Sequence, residues 1–389
     1  MFFVLFSSLA WVLGIAIVTW LHTRRSSDVV VHPAPPPAGT PLISVIVPAR
    51  NEERNIRRCV EALLAQTYPH FELLVLDDRS TDATSGIVKD LASRDPRLHL
   101  LEGEEIPAGW AGKPHALSQA ATRAHGDWLC FVDADTFAAP EALVSVYTAA
   151  RESSADLFSI LTEQELGTFW EKVVQPLVFT AMTVGFTPRH VNNPGKTDAI
   201  ANGQFILVKR AVYDAVGGHA AIRDSIVEDK DLAMLVKGAG FRLIMADGRE
   251  LARTRMYTSL PEIWDGWTKN IFLGLKGSPG LLLLGAFGAF LSLFAALALP
   301  LWLAGGLLWW RAGGGTAVPL VSLEAAILWG YLVFWRILVC RGMKISAWYA
   351  LTAPLGAAVF ASMMFASAWK VLSGQGVTWK GRRYPPAAK

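Results

Sequence analysis

The chain of 389 residues sets 36 basic against 33 acidic side chains, and no long basic run is interleaved with aromatics, so its charge pattern excludes a nucleic-acid partner. A hydrophobic content of 52% with 15 Trp exceeds that of an ordinary soluble protein, and the apolar residues gather at the two ends. The 3 cysteines, Cys59, Cys130 and Cys340, stand far apart without metal-ligand spacing, which argues against a disulfide framework or a zinc site and fits a reducing compartment.

Phe2 to Leu21 is almost wholly apolar and is followed by Arg24-Arg25, with no positive residue before it and no small-residue cleavage site. This predicts a retained membrane helix over residues 1–22, with the following chain in the cytoplasm. Residues 23–41, with Pro33-Ala-Pro-Pro-Pro37 and Gly39, read as a stiff polyproline-type linker. From Leu42, predicted strands (Ile43–Val47, Glu72–Leu76, Leu98–Leu101, Trp128–Val132) alternate with helices (about Glu53–Gln66, Ala83–Ser93 and Pro114–His125). Such alternation predicts an α/β fold with a mostly parallel central sheet and helices on both faces.

Farther along, Phe169 to Phe186 and Leu260 to Leu275 mix aromatics with scattered charge and read as interfacial helices or as amphipathic helices packed on the domain. Leu281–Leu303, Val318–Val339 and Ala347–Trp369 are each long enough to cross a hydrocarbon layer of ~30 Å. About three C-terminal spans within residues 279–372 would leave a basic tail, 373–389, on the side that Lys380, Arg382 and Arg383 disfavour. Pro300 and Gly305-Gly306 mark the place for a re-entrant or doubled segment.

Polar turns at the carboxyl ends of buried strands are where open α/β sheets bind ligands. Here Asp77-Asp78 follows one apolar run, Asp133-Ala-Asp135 another, and Glu228-Asp229 opens an amphipathic helix. Carboxylates gathered there point to a metal-held, doubly anionic substrate such as a nucleotide-diphosphate sugar. Asp133 and Asp135, two apart on an extended segment, would share a face and repel unless a hard cation, Mg2+ or Mn2+, lay between them. Lys113, beside Gly112 and before a predicted helix, can neutralise a phosphate. Asp78 fits the base or ribose, Asp82 fits a helix cap, and His115 is assigned no role. Asp229 is the candidate general base, a carboxylate near the metal site but free of it; helix-end electrostatics would explain one of the two acids as well.

With Val45-Ile-Val-Pro-Ala-Arg-Asn-Glu52, Leu76-Asp-Asp-Arg-Ser-Thr-Asp82, Asp133-Ala-Asp135 and Glu228-Asp229 in this order, the chain resembles the family 2 glycosyltransferases, whose fold is called GT-A. The resemblance covers about residues 42 to 276 and places the catalytic domain at 42–257, with an interfacial segment at 258–278. It implies inverting transfer from a UDP-sugar, with Asp78 on the uracil, the second acid of the Asp-x-Asp pair on the metal, and the acid of the Glu-Asp motif as base. The site assigned on this basis has Asp229 and Glu228 as catalytic residues. Pro48, Ala49, Asn51, Glu52, Asp77, Asp78, Lys113, Asp133 and Lys269 are its donor-side residues, and Asp133 and Asp135 its metal ligands.

Gly109-Trp-Ala-Gly-Lys-Pro-His115, Gly266-Trp-Thr-Lys-Asn270 and Trp379-Lys-Gly-Arg382 look most like the hopene-associated glycosyltransferases, bacterial inner-membrane proteins similar to the carotenoid-acid glycosyltransferases. Gly266-Trp267-Thr268-Lys269-Asn270 stands where processive synthases carry Gln-x-x-Arg-Trp. That departure favours one sugar added to a hydroxyl or carboxyl of a membrane lipid over polysaccharide synthesis. Trp267 and Lys269 would either close over the diphosphate or anchor the helix at the headgroups. A catalytically silent nucleotide-sugar-binding scaffold is the remaining alternative.

Overall fold

The computed structural model describes residues 29–35, 39–185, 188–274, 280, 287, 299–313, 317–373, 377–379 and 382–384. The expected N-terminal span and most of Leu281–Leu303 lie outside the described residues. The chain forms two compact units, one of Ser26–Glu165 with Phe186–Met256, the other including Leu166–Gly185 and Tyr257–Lys389.

In the first unit the strands are β1 (Ile43–Ala49), β2 (Phe71–Asp77), β3 (Leu98–Glu102), β4 (Trp128–Phe131), β5 (Thr136–Ala138), β6 (Leu157–Leu161), β7 (Glu163–Gln164), β8 (Ile206–Lys209), β9 (Leu243–Asp247) and β10 (Ala252–Thr254). Seven of them make one sheet in the order β3-β2-β1-β4-β8-β6-β9. β1 runs parallel to β2 and β4, β2 to β3, and β6 to β9, while β8 is antiparallel to both of its neighbours. The alternation of strand and helix thus gives the expected mostly parallel α/β sheet.

Successive residues of β1 and β2 point to opposite faces, and both faces are buried. Val45, Val47, Leu73 and Val75 enter the core on one side, and Ile46, Leu74 and Leu76 the core on the other. An apolar run with no polar alternation is what a strand covered by helices on both faces requires. Because β1 pairs with β2 through Ala49↔Asp77, and the Val132 N–H donates to the Ile46 carbonyl, the carboxyl ends of β1, β2 and β4 stand together. β5, β10 and β7 form a small second sheet beside the turn that follows β4.

The linker is not wholly free of the domain. Val29 and Val31 exchange backbone hydrogen bonds of 2.9 Å with Asp247, closing part of the β9 edge. That pairing was hidden in the sequence because Val29-Val30-Val31 abuts a proline-rich stretch.

The second unit is helical over Phe169–Gly185, Leu260–Gly274, Ala317–Gly342 and Ala353–Leu372, with a short hairpin of Val377–Trp379 and Arg382–Tyr384. Pro176 has no N–H to give the carbonyl four residues back. The buried Arg336 guanidinium donates there instead, to Lys172 O at 3.4 Å and Val173 O at 3.0 Å. Among the described residues one helical stretch, Ala347–Lys370, is long and apolar enough to cross a membrane. The expected Val318–Val339 span falls within the helix Ala317–Gly342. Trp267 is 3% exposed, packed between the rings of Phe179 and Tyr257, so it anchors the inside of the helical unit rather than a surface.

Candidate active site

The loops after β1 and β2 are laced together. Asn51 takes a left-handed backbone, φ 52°, a conformation Asn tolerates better than most residues. Its Oδ1 accepts the Thr81 N–H at 2.9 Å, and its own N–H donates to Ser80 Oγ at 3.0 Å. Asp77 Oδ1 accepts from both the backbone N–H and the hydroxyl of Ser80, so this carboxylate shapes the loop that presents Asp78. The Asp78 N–H donates to the Ala49 carbonyl at 2.8 Å, and the Asp78 carbonyl accepts from Arg50 at 2.7 Å, which fixes the buried Asp78 next to the Pro48-Ala49 strand end. The Glu52 N–H donates to Thr84 Oγ1, which itself donates to Asp82; Ala83, not the expected Asp82, takes the cap position, and Asp82 one residue earlier accepts the Thr84 N–H at 3.0 Å.

The extended geometry expected for Asp133 and Asp135 is not what forms. β4 ends at Phe131, and the acids occupy a turn closed by the Thr136 N–H on the Asp133 carbonyl at 3.0 Å. The Asp135 carbonyl accepts the Arg255 N–H at 3.1 Å, which pins the turn to the chain leaving β10. The turn brings Asp133 to the wall of the hollow that Lys113 and Glu228 also line, whereas Asp135 is not among the residues that line it and its Oδ1 is buried. Beneath the turn lies the buried thiol of Cys59, which donates to the Asp133 carbonyl. Burial, then Asp135, Glu52 and Asp133, pushes that thiol well up, so all three carboxylates stand within electrostatic reach of it.

Lys113 lies in the first turn of the helix Gly112–Arg123, which starts two residues before the expected Pro114. Its ammonium sits 2.6 Å from Asp133 Oδ1 and 2.7 Å from Glu228 Oε1. Burial works against this charge, yet Asp133, Glu228 and Asp229 overcome it and hold the lysine well above its usual range. Burial also opposes charge on Glu228, and Lys113 outweighs it, keeping this acid low. The ammonium alone would depress Asp133 too, but burial together with Glu228 and Glu52 leaves that acid raised. Asp229 is pushed up to about 6, by burial first and then by the Glu228 charge.

Two elements here were not singled out in the sequence. Gly203 follows Asn202, whose amide donates to Ile160 O at 2.9 Å and whose N–H donates to Ser159 Oγ at 2.8 Å, tying the loop to β6. From that fixed loop the Gly203 N–H donates to Asp229 Oδ2 at 3.0 Å, while Asp229 Oδ1 accepts the Lys230 N–H at 2.7 Å. The Asn-Gly pair ahead of a short apolar run was the available signal. His219 is buried with its Nδ1 2.9 Å from Tyr213 Oη, and burial lowers its pKa to about 4, so the ring is neutral. Gly218 before it has φ 52°, and an added Cβ would meet the Tyr213 ring at 2.4 Å, so only glycine delivers this histidine.

Lys113, Asp133, Glu228 and Asp229 converge on a small open hollow that Pro48 and Gly203 also line, with His219 and apolar residues at its walls, while Asp77, Asp78 and Asp135 are not among its lining residues. His115, left without a role, packs on Trp110 and bonds Gln119. Lys269 belongs to the helix Leu260–Gly274 of the second unit.

Residues 44–217 match the family model described as glycosyl transferase family 2. The chain carries a family 2 glycosyltransferase domain. Glu228 and Asp229 lie past that match and are joined to it through Lys113 and Gly203. A curated relative, the 4,4'-diaponeurosporenoate glycosyltransferase of Staphylococcus aureus strain USA300, is 27% identical over 349 residues, 88% of each chain. The same-named protein of strain MRSA252 is 28% identical over 242 residues, 61% of this chain and 62% of that one. Among solved structures, the mannosyltransferase PcManGT from Pyrobaculum calidifontis, in complex with GDP-Man and Mn2+, is 18% identical with a TM-score of 0.51, covering 94% of this chain and 97% of that one. At that identity the likeness is one of fold, and the fold is GT-A.

For this family 2 glycosyltransferase domain, Gly203→Ala places a methyl 3.1 Å from Asp229 Oδ2 and 3.4 Å from Lys113 Nζ. Misplacing Asp229 by a few tenths of an ångström should lower kcat by about 10-fold. The melting temperature should move little, since Ala suits this backbone. Initial-rate kinetics beside a thermal melt checks both.

Proposed function

We propose that this enzyme is an inverting, metal-dependent glycosyltransferase that moves one sugar from a UDP-sugar to a hydroxyl or carboxyl of a membrane lipid, a hopanoid or another polyprenoid. The observation that carries the reading is the grouping at one hollow of Asp133, held by Lys113, with Glu228 and an Asp229 whose pKa is about 6. In this reading Asp78 meets the uracil, Lys113 meets the diphosphate, and Asp229 removes the acceptor proton.

Asp133 and Asp135 would hold the Mg2+ or Mn2+. Their oxygens are hard donors, and among the described residues no third His, Cys, Asp or Glu completes a set able to hold an ion unaided. Two carboxylates completed by substrate phosphate oxygens and water suit such a cation. When bound, the ion would neutralise charge on the departing UDP. The chain's own residues do the rest: Gly203 and Lys230 orient the Asp229 carboxylate, and the buried wall keeps its basicity near neutrality.

The lipid acceptor is supported by the exposed apolar surface of the helical unit. Trp348 and Trp369 stand at the two ends of the Ala347–Lys370 stretch, 78% and 66% exposed, as aromatic side chains do at membrane interfaces. In this reading the protein is a multi-pass protein of a bacterial inner membrane with the catalytic domain in the cytoplasm, and the names of its relatives point to a polyprenoid acid or its kin.

A base works only when deprotonated, so with a hydroxyl acceptor kcat/KM should rise with pH through about 6 and level above it. A pH–rate profile checks this, and a flat profile from pH 5 to 8 would remove Asp229 from the role. Mass spectrometry of lipids from cells with and without the gene tests the whole reading. A single hexose or N-acetylhexosamine difference on one lipid is expected, and a ladder of products would overturn single transfer.

A further inference from the structure

The ammonium of Lys113 occupies the middle of the acidic cluster, touching Asp133 on one side and Glu228 on the other. Asp133 is one of the two carboxylates assigned to the cation, so in this structure an internal cation already holds a ligand that the divalent ion needs. We propose that Lys113 acts as a built-in placeholder that keeps free metal out of the site until the donor diphosphate arrives, so that metal and nucleotide bind as one unit. The proposal rests on the metal-dependent reading above and adds an order of events to it.

A divalent ion arriving alone meets three obstacles. It must break the 2.6 Å contact between Lys113 and Asp133. It must also sit near an ammonium that Glu228 still holds close by, and like charges at so short a range repel. Finally, it finds no third protein carboxylate, thiolate or imidazole among the described residues to complete its shell. A diphosphate removes all three. Its oxygens supply the missing ligands, and they offer Lys113 a new anionic partner, freeing Asp133 without stranding the ammonium. Glu228 is suited to hold the lysine during the exchange, because it is buried and kept ionised by Lys113 itself. By linkage the effect is reciprocal, so metal must tighten nucleotide by the same factor as nucleotide tightens metal.

The test is Mn2+ binding to the full-length chain, followed by electron paramagnetic resonance with and without UDP. For the unaltered protein, UDP should tighten Mn2+ by a factor within the roughly 5- to 150-fold range of such couplings. Lys113→Met should bind Mn2+ alone about 10-fold tighter and show a response to UDP that is smaller by about the same factor, the part left being the ligands that the diphosphate supplies. Lys113→Arg, which keeps the charge, should behave like the unaltered protein without UDP. Should Lys113→Met fail to fold, the pair Lys113→Met with Glu228→Gln removes one charge of each sign, and the same tightening is expected of it. Unchanged or weaker binding of free Mn2+ in these neutral variants overturns the placeholder while leaving the enzyme reading intact. No Mn2+ bound by the unaltered protein even with UDP overturns the metal-dependent reading and the placeholder with it.

Discussion

Asp229→Asn is expected to abolish turnover to a lipid hydroxyl, a loss on the order of 10²- to 10⁴-fold in kcat, while UDP binding is retained. Asn matches the shape of Asp but cannot take a proton. Both Asp229 oxygens accept backbone N–H groups, from Gly203 and Lys230, so the amide NH2 of Asn must face one of these donors and the side chain will turn slightly. That reorientation alone is worth about 10-fold or less, far short of the loss expected from removing the base. The size of the loss also separates the two acceptor classes. A carboxylic acceptor has a pKa of about 4 and is already ionised at neutral pH, so it needs no base. For such an acceptor Asp229→Asn should cost only the positional factor, and the limb of the pH profile near about 6 should vanish. Rates of the purified variant with a hydroxylated and a carboxylated polyprenoid, beside calorimetric titration of UDP, decide the matter. Unchanged turnover with the hydroxylated lipid would refute the assignment of Asp229 as base.

Much of the sheet can be read from the chain because the physics is local. β4 is an unbroken apolar run, β1 and β2 are interrupted only by Ser44 and Glu72, which bond each other, and each of the three strands leads into a polar turn. The site was harder to read, since its decisive contacts join residues remote in sequence. Nothing near Lys113 announces that its partners are Asp133 and Glu228. Nor does Gly203 reveal that it faces Asp229, because that contact depends on Asn202 being tied to β6. Spacing misled for Asp133 and Asp135, because two residues apart means one face only on a strand, and here a turn intervenes. Asp77 shows the opposite case, an acid beside Asp78 whose carboxylate closes the loop through Ser80. Arg336 was opaque as well, since a charge in an apolar helix explains itself only once Pro176 is seen to release the Lys172 carbonyl.

Asp135→Asn should lower kcat by about 10²- to 10³-fold, the rate equivalent of several kcal/mol of lost charge stabilisation on the leaving group. The turn itself should survive, because it is held by backbone groups: the Thr136 N–H on the Asp133 carbonyl and the Arg255 N–H on the Asp135 carbonyl. Asp133→Asn serves as the contrast. It removes the same formal charge but also one of the two acids in contact with Lys113, leaving Glu228 as its one remaining contact of the two. Loss of one partner of a buried pair destabilises the fold, by about 3 kcal/mol or more for a fully enclosed pair and by less here, where the lysine is partly open to water. Asp133→Asn should therefore lose melting temperature as well as rate, whereas Asp135→Asn should lose rate alone. Measuring both variants across a range of Mn2+ concentrations, with EDTA-treated protein as baseline, ties the rate loss to the metal. If the EDTA-treated enzyme keeps its full rate, neither carboxylate holds a catalytic ion, and the charge on the departing UDP must be met by Lys113 and backbone N–H groups.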